Sequence, residues 1–111
     1  MKTEDIRVVL ATFPDLGKAR QIATQLVELQ LVACANLVPA VESIYQWENK
    51  IETGSEVLVI LKTRELLLNR LEEKLSELHP YDVPEFIVLS VDSGAEKYVN
   101  WIREVTNQQG Q

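Results

Sequence analysis

Two runs of consecutive apolar residues constrain the fold of this chain more than any other feature. Residues 57–61 read VLVIL and residues 86–89 read FIVL. Such runs are typical of strands covered on both faces, whereas a strand with one wet face alternates apolar and polar residues. A chain of 111 residues has the size of a single domain, residues 1–111, with one core. We therefore expect a second copy of the chain to cover one face of the sheet.

The pattern along the chain predicts the order β-α-β-β-α-β followed by one more helix. Residues 6–13 are predicted as a strand, 16–31 as a helix with Asp15 at its N-cap, and 64–78 as a second helix. The fourth strand is predicted over 85–91. In the last helix, Ser93 as N-cap and Glu96 have capping-box spacing. This order is that of a ferredoxin-like α+β sandwich with an extra C-terminal helix.

A long β-hairpin is predicted between the two helices. Residues 41–47 and 56–63 are β-prone, and the turn is placed at Asn49 and Lys50, with Asn49 at positive φ. In this register Trp47 faces Glu52 and Tyr45 faces Gly54, unless a bulge at Gly54 reverses the second half. The predicted shared face of the hairpin carries Ser43, Tyr45, Trp47, Glu56 and Lys62.

The hairpin arms exceed the usual strand length of about five or six residues. In a monomer they would leave Tyr45 and Trp47 on an exposed edge, which natural proteins avoid. Together with the two apolar runs, this predicts an obligate oligomer.

The charge and the cysteine content exclude several classes of protein. The net charge of −6 argues against nucleic acid and anionic membrane as partners, because both are bound through basic surfaces. No apolar run reaches the roughly 18 residues of a membrane span, and the first residues lack the features of a signal peptide. The one cysteine suits a reducing compartment. We expect a soluble, cytoplasmic protein.

Residues 79–85, HPYDVPE, place the only histidine, a tyrosine and two acids within or directly beside a pair of prolines. Each proline fixes φ near −65°, so these polar side chains lie on stiff backbone. The segment is the strongest candidate for a functional site.

Five motifs in register resemble the CutA family of divalent-cation tolerance proteins. The match covers about residues 8–102. The motifs are Ala33-Cys34-Ala35-Asn36 with Pro39, Ser43-x-Tyr45-x-Trp47, Glu56 with Leu61-Lys62-Thr63, His79-Pro80-Tyr81-x-x-Pro84-Glu85 and Tyr98-x-x-Trp101.

The resemblance implies a ferredoxin-like homotrimer, cytoplasmic in bacteria and associated with tolerance of copper and other divalent cations. It also implies a likeness in architecture to the trimeric PII signalling proteins, which bind small effectors between subunits. Some copper-linked members carry a cysteine in the first strand and a histidine before the His-Pro-Tyr motif. This chain has Ala11 and Leu78 there, so two metal ligands of the family pattern are missing.

The candidate metal ligands are His79 and Cys34. A divalent cation such as copper or zinc is the cofactor that the resemblance implies, and Cys34 is a soft ligand that suits Cu(I). One histidine and one cysteine per chain cannot close a four-ligand zinc site. The alternatives are a helix-end histidine packed beside Tyr81 and a buried, inert thiol.

The other candidate residues would line a cleft between subunits. Aromatic rings with polar tips are typical of interface anchors and pocket walls. The predicted cleft residues are Tyr45, Trp47, Glu56, Lys62, His79, Tyr81, Glu85 and Trp101.

The sequence carries no motif of a known catalytic site. Ser43, His79 and Asp82 have the residue types of a triad, but the sequence gives them no geometry. We therefore predict a non-enzymatic binding or regulatory protein associated with divalent-cation tolerance. A PII-like transducer with a small-molecule effector is the alternative, and a trimeric scaffold for other proteins is a third possibility.

Overall fold

The computed structural model describes residues 2–107. The strands are β1 (Ile6–Phe13), β2 (Cys34–Trp47), β3 (Lys50–Arg64) and β4 (Ile87–Ser90), and the helices are α1 (Leu16–Glu28), α2 (Leu68–Leu78) and α3 (Glu96–Val105). A 3₁₀ turn, Glu65–Leu67, leads into α2. The strands form one antiparallel sheet in the order β2-β3-β1-β4. The predicted order of elements is the observed order.

The main core lies between one face of the sheet and the helices α1 and α2. Alternate residues of β1 and β3, among them Val9 and Leu61, point into it. Leu71 and Leu75 of α2 are fully buried there, as their spacing predicts. Within residues 2–107, none of the helices is long and apolar enough to cross a membrane.

The opposite face of the sheet is only partly covered by the chain itself. Helix α3 packs across one end through Val99 and Ile102, which form a second cluster with Ile6. The Arg103 guanidinium donates to both carboxylate oxygens of Asp5 at 2.9 and 2.8 Å, and these bonds hold the pKa of Asp5 below its ordinary value.

The two apolar runs are not buried on both faces within one chain. In β3 the fully buried residues alternate with half-buried ones, such as Leu58 and Ile60. All four residues of β4 are exposed, and Ile87 and Leu89 share the open face with Val8. The cover over this face that the sequence predicts would therefore have to come from another subunit.

The hairpin turn lies one residue earlier than predicted. Glu48 and Asn49 are the loop residues and both have positive φ, 50° and 66°, as a two-residue type I′ turn requires. Trp47 therefore pairs with Lys50 and Tyr45 with Glu52, so the predicted partners were wrong. The shift is two residues on the return strand, so each side chain stays on its predicted face.

The bulge lies in β2 and not at Gly54. The register shifts between Val38 and Val41, where Pro39 has no N–H for the ladder and Ala40 takes a φ of 60°. The extra residue inverts the alternation of β2. As a result Tyr45 shares the open face of the sheet with Cys34, although their numbers differ in parity.

Three predicted helix ends were also wrong. Helix α2 begins at Leu68 rather than residue 64, because β3 extends to Arg64 and a 3₁₀ turn follows it. Helix α1 ends at Glu28 rather than residue 31, because Gln30 adopts a φ of 60°. Helix α3 has Ala95 as its N-cap and no side-chain cap bond, so Ser93 is not the cap. A side chain at Gly94 would come within 2.9 Å of Val99, so the chain passes close to α3 before the helix begins.

Candidate functional site

The segment of residues 79–85 is attached to the sheet through His79. Tyr81 donates its backbone N–H to His79 Nδ1 at 3.0 Å. The remaining ring proton is therefore on Nε2, which lies 2.7 Å from the carbonyl oxygen of Thr12 and donates to it. The residue is 8% exposed, and its ring stacks on Phe13 with the ring centres 4.5 Å apart. Burial lowers the pKa of His79, with the bond to Thr12 acting in the other direction.

The anchored segment places Tyr81 against the hairpin. The Tyr81 hydroxyl donates to Glu56 Oε2 at 2.8 Å, which joins the loop after α2 to β3. Burial and then the Glu56 carboxylate raise the pKa of Tyr81. The phenol is therefore a neutral donor over the whole physiological range.

An open cleft lies between the hairpin and this segment. Its volume is about 690 Å³, within the range of small-molecule sites. Its lining residues come from β1, β2, β3 and the loop before β4: Thr12, Ser43, Ile44, Tyr45, Trp47, Glu56, Tyr81, Asp82, Val83, Pro84 and Glu85. We call this site the cleft.

A second group of polar and aromatic residues, which we call the Cys34 patch, lies where β2, β3 and α3 meet. It consists of Cys34, Asn36, Lys62, Tyr98 and Trp101. Lys62 Nζ donates to Asn36 Oδ1 at 2.5 Å, and Cys34 Sγ lies 3.7 Å from the Tyr98 hydroxyl. The Tyr98 and Trp101 rings are 5.5 Å apart. The contact with Cys34 raises the pKa of Tyr98.

The predicted cleft residues therefore fall into two groups within one chain. Five of them line the cleft: Tyr45, Trp47, Glu56, Tyr81 and Glu85. His79 lies behind the cleft and holds its wall. Lys62 and Trp101 belong to the Cys34 patch, and Lys62 is six residues, or about 20 Å, from Glu56 along β3.

Asp82, Asn36 and Tyr98 are site residues that the predicted set omits. Asp82 was within reach of sequence reasoning, because it lies in the same stiff segment as Tyr81. Asn36 and Tyr98 were not, since their contacts depend on the bulge in β2 and on the placement of α3.

His79 and Cys34 do not form a metal site within one chain. His79 lies on the helix-covered face beside Phe13, while Cys34 lies on the open face opposite Lys62. Both nitrogens of His79 are bonded to the backbone, so a metal would have to displace one of these bonds. Among residues 2–107 there is no group of three or more histidine, cysteine or acidic residues that could hold a metal ion.

Comparison with known proteins identifies the family. The model of the CutA1 divalent ion tolerance proteins matches residues 7–105. The chain belongs to this family.

The relatives differ in length and in named location. The divalent-cation tolerance protein CutA of Pyrococcus horikoshii is 46% identical, over 91% of this chain and 98% of the relative. The chloroplastic protein CutA of Arabidopsis thaliana is 42% identical over 95% of this chain. Only 58% of that plant protein is matched, so the chain spans little more than half of its length. The crystal structure of CutA1 from Oryza sativa has a TM-score of 0.91 at 40% identity, covering 96% of this chain and 97% of that one.

The family is named for tolerance of divalent cations and not for a reaction. Both nitrogens of His79 are already bonded, so the ring has no free acceptor for a serine proton. The triad considered from the sequence therefore has no base in this structure.

Proposed function

We propose that the chain is a non-enzymatic binding or regulatory protein of divalent-cation tolerance, copper among them, and that it works as a cytoplasmic homotrimer of ferredoxin-like subunits. The observation that carries the proposal is the cleft, an open site of about 690 Å³ in a member of a family named for cation tolerance. Its walls offer recognition groups rather than a catalytic constellation.

The trimer is supported by what one chain leaves uncovered. Many of the large exposed apolar residues lie on the hairpin, as Ile44, Trp47 and Ile51, and on β4, as Ile87 and Leu89. Association that buries them is favourable at about 25 cal/mol per Å² of apolar surface. In a trimer we expect the Cys34 patch of one subunit to complete the cleft of the next, which would add Lys62 and Trp101 to the five predicted residues that line it.

Growth tests the role in tolerance. Deleting the gene in its own host should lower growth in raised copper, and a plasmid copy of the wild-type gene should restore it. A Glu56→Gln copy should restore it less well, whereas Glu72→Gln, which removes a charge from the exposed side of α2, should act as wild type. Equal growth of the deleted and the parent strain would reject the role. Cell fractionation tests the cytoplasmic location.

His79 and Cys34 remain the metal ligands to be tested. Calorimetric titration with copper would compare the wild type with His79→Ala and Cys34→Ser. Loss of binding in Cys34→Ser would support a soft-ligand site on the open face, where copies from several subunits can meet. Unchanged binding in His79→Ala would move the metal away from that ring.

A PII-like transducer of a small-molecule effector is the second candidate. Its support is that the cleft has the size of a metabolite site, while residues 2–107 gather no cluster of metal ligands. A thermal-shift screen separates the two, because a ligand that binds only the native state raises the apparent stability. Stabilisation by metabolites but not by Cu²⁺ or Zn²⁺ would favour the transducer.

A further inference from the structure

Helix α3, which carries Tyr98 and Trp101 of the Cys34 patch, has little stability of its own. It has ten residues, and helices shorter than about 12–15 residues are marginal in isolation. Its N-cap residue, Ala95, makes no side-chain cap bond, although such a bond normally pairs one of the first N–H groups of a helix. The position of α3, and of both rings with it, therefore depends on contacts with other parts of the chain.

The apolar cluster under α3 is separate from the main core. Its residues are Ile6, Ala33, Val99 and Ile102, with Val91 and Val105 at the margin. A separate cluster of this kind can open while the main core stays intact. Polar contacts therefore contribute to holding α3 against the sheet.

Residues 2–5, which we call the strap, hold the last turn of α3. Arg103 donates to both carboxylate oxygens of Asp5 at 2.9 and 2.8 Å, and to the backbone oxygen of Lys2 at 2.5 Å. Paired, charge-assisted bonds of this kind fix the orientation of the guanidinium as well as its distance. Arg64 of β3 bonds Thr106 directly after the helix, so the strap shares this end of α3 with β3.

The strap also holds the loop that leads into α3. The Thr3 hydroxyl donates to the carbonyl oxygen of Val91 at 2.6 Å, with the carbonyl oxygen of Asp92 at 3.2 Å as a second acceptor. Thr3 is 4% exposed, and a buried hydrogen bond is costly to break. The backbone oxygen of Asp5 accepts the N–H of Glu65 at 2.8 Å. The strap is therefore itself tied to the turn that follows β3.

We propose that the strap is a positioning element of the Cys34 patch. It holds α3 where the Tyr98 hydroxyl lies against Cys34 and where Trp101 lies beside the Tyr98 ring. None of residues 2–5 belongs to the patch or lines the cleft, so their part in the site is indirect. All of these contacts lie within one chain and do not depend on how subunits dock. The inference rests on the proposed function in one point, which is that the patch completes the cleft of the next subunit.

Trp101 fluorescence reports the position of α3. The chain has two tryptophans, so Trp47→Phe leaves Trp101 as the only one. In that background, Asp5→Asn and Arg103→Gln should both shift the emission to longer wavelength, because the released ring meets more water. The two variants change the net charge in opposite directions, so a purely electrostatic effect on the emission would have opposite signs. Lys97→Gln removes a charge from the exposed side of the same helix and should leave the emission unchanged.

Amide hydrogen exchange of the full chain tests whether the effect is local. The amides of α3 should exchange about threefold to fivefold faster in Asp5→Asn and Arg103→Gln, whereas those of α1 and α2 should keep their rates. Combining the two changes should add little, since both remove the same contact. Thr3→Val should also accelerate exchange in α3. Its matched control is Thr24→Val, which removes a hydroxyl that donates to the backbone of α1 and should leave α3 unchanged.

Two results would overturn the inference. One is unchanged Trp101 emission together with unchanged exchange of α3 in both Asp5→Asn and Arg103→Gln. The other is equal acceleration of exchange in all three helices, which would mean that the strap contributes only to general stability.

Light scattering on the same proteins separates this inference from the proposed function. A wild-type monomer whose α3 responds to the strap variants as described would reject the trimer and leave the strap. A trimer in which α3 does not respond would reject the strap and leave the trimer.

Discussion

At the scale of single residues, His79 determines how the wall of the cleft responds to acid. It is the only histidine of the chain. Its Nδ1 accepts the N–H of Tyr81, and a proton on Nδ1 would remove that acceptor. Protonation of one ring therefore loosens the residue that contacts Glu56.

We expect His79 to titrate below the ordinary histidine pKa of 6.5, because burial disfavours its charged form. Between that value and the lower native pKa, the unfolded chain holds a proton that the folded chain does not. The free energy of unfolding therefore has its full value above pH 6.5. It decreases as the pH falls from 6.5 through the native pKa of His79, by at most about 1.4 kcal/mol per pH unit.

NMR of the single imidazole measures this pKa directly. In His79→Gln, the fall in stability between about pH 6.5 and 5, above the range where carboxylates titrate, should disappear. A histidine pKa at or above 6.5 in the wild type would contradict the burial and the bonding described for the ring.

Tyr81 and Glu56 make a second prediction. The negative charge of Glu56 contributes to the raised pKa of Tyr81, so Glu56→Gln should lower that pKa. The charge-matched control Glu72→Gln should leave it unchanged. Carbon-13 NMR of the tyrosine rings during a pH titration gives both values, and an unshifted Tyr81 in Glu56→Gln would argue against the bond.

At the scale of elements, the structure has one of the two helix caps that the sequence predicts and lacks the other. Asp15 accepts the N–H of Lys18 at 2.7 Å, whereas Ser93 lies outside α3. Asp15→Ala should therefore cost about 1 kcal/mol, and Ser93→Ala should stay within about 0.5 kcal/mol of wild type. Urea unfolding at equal chain concentration measures both. Equal losses would restore the capping box predicted from the sequence.

The hairpin turn gives an opposite pair of effects for one substitution. Glu48 has a φ of 50°, a conformation that costs a residue with a Cβ about 1–2 kcal/mol. Glu48→Gly should therefore stabilise the chain by up to about 1 kcal/mol. Glu52→Gly, in the extended part of β3, should destabilise it by about 0.5–1 kcal/mol. Thermal unfolding decides, and a lower Tm in Glu48→Gly would exclude the turn.

The strands and helices were predictable from the sequence where local periodicity determines them. The turn and the bulge between or within them were not. β1 occupies the predicted residues, and Leu71 and Leu75 of α2 are buried as their spacing indicates. The turn was misplaced because either Glu48-Asn49 or Asn49-Lys50 could be the two loop residues of the hairpin, and both choices put Asn49 at positive φ. The bulge at Ala40 escaped prediction since the sequence there carries no glycine to mark it.

At the scale of the whole molecule, the candidate site was only half predictable from the sequence. Five residues near the two prolines and the hairpin do line one cleft. Lys62 and Trp101 lie instead with Cys34, because β3 separates Glu56 from Lys62 by about 20 Å. Residues that the sequence predicts to share one cleft need not meet within a single chain, and no local pattern reveals which of them do.

The uncovered face and the divided site are both what the proposed assembly of chains would produce. A subunit docked on the open face would cover Leu58, Ile60 and Ile87. It would also bring its own Cys34 patch toward the cleft. In a single chain, the open-face residues of the apolar run in β3 are only half-buried. The docked subunit would cover them, so that the run is buried on both faces as its composition predicts.

Light scattering coupled to size-exclusion chromatography is the decisive test of the proposed trimer. We expect three chains of 12.6 kDa each, a particle of about 38 kDa that persists at micromolar concentration. A stable, folded particle with the mass of one chain at that concentration would contradict it.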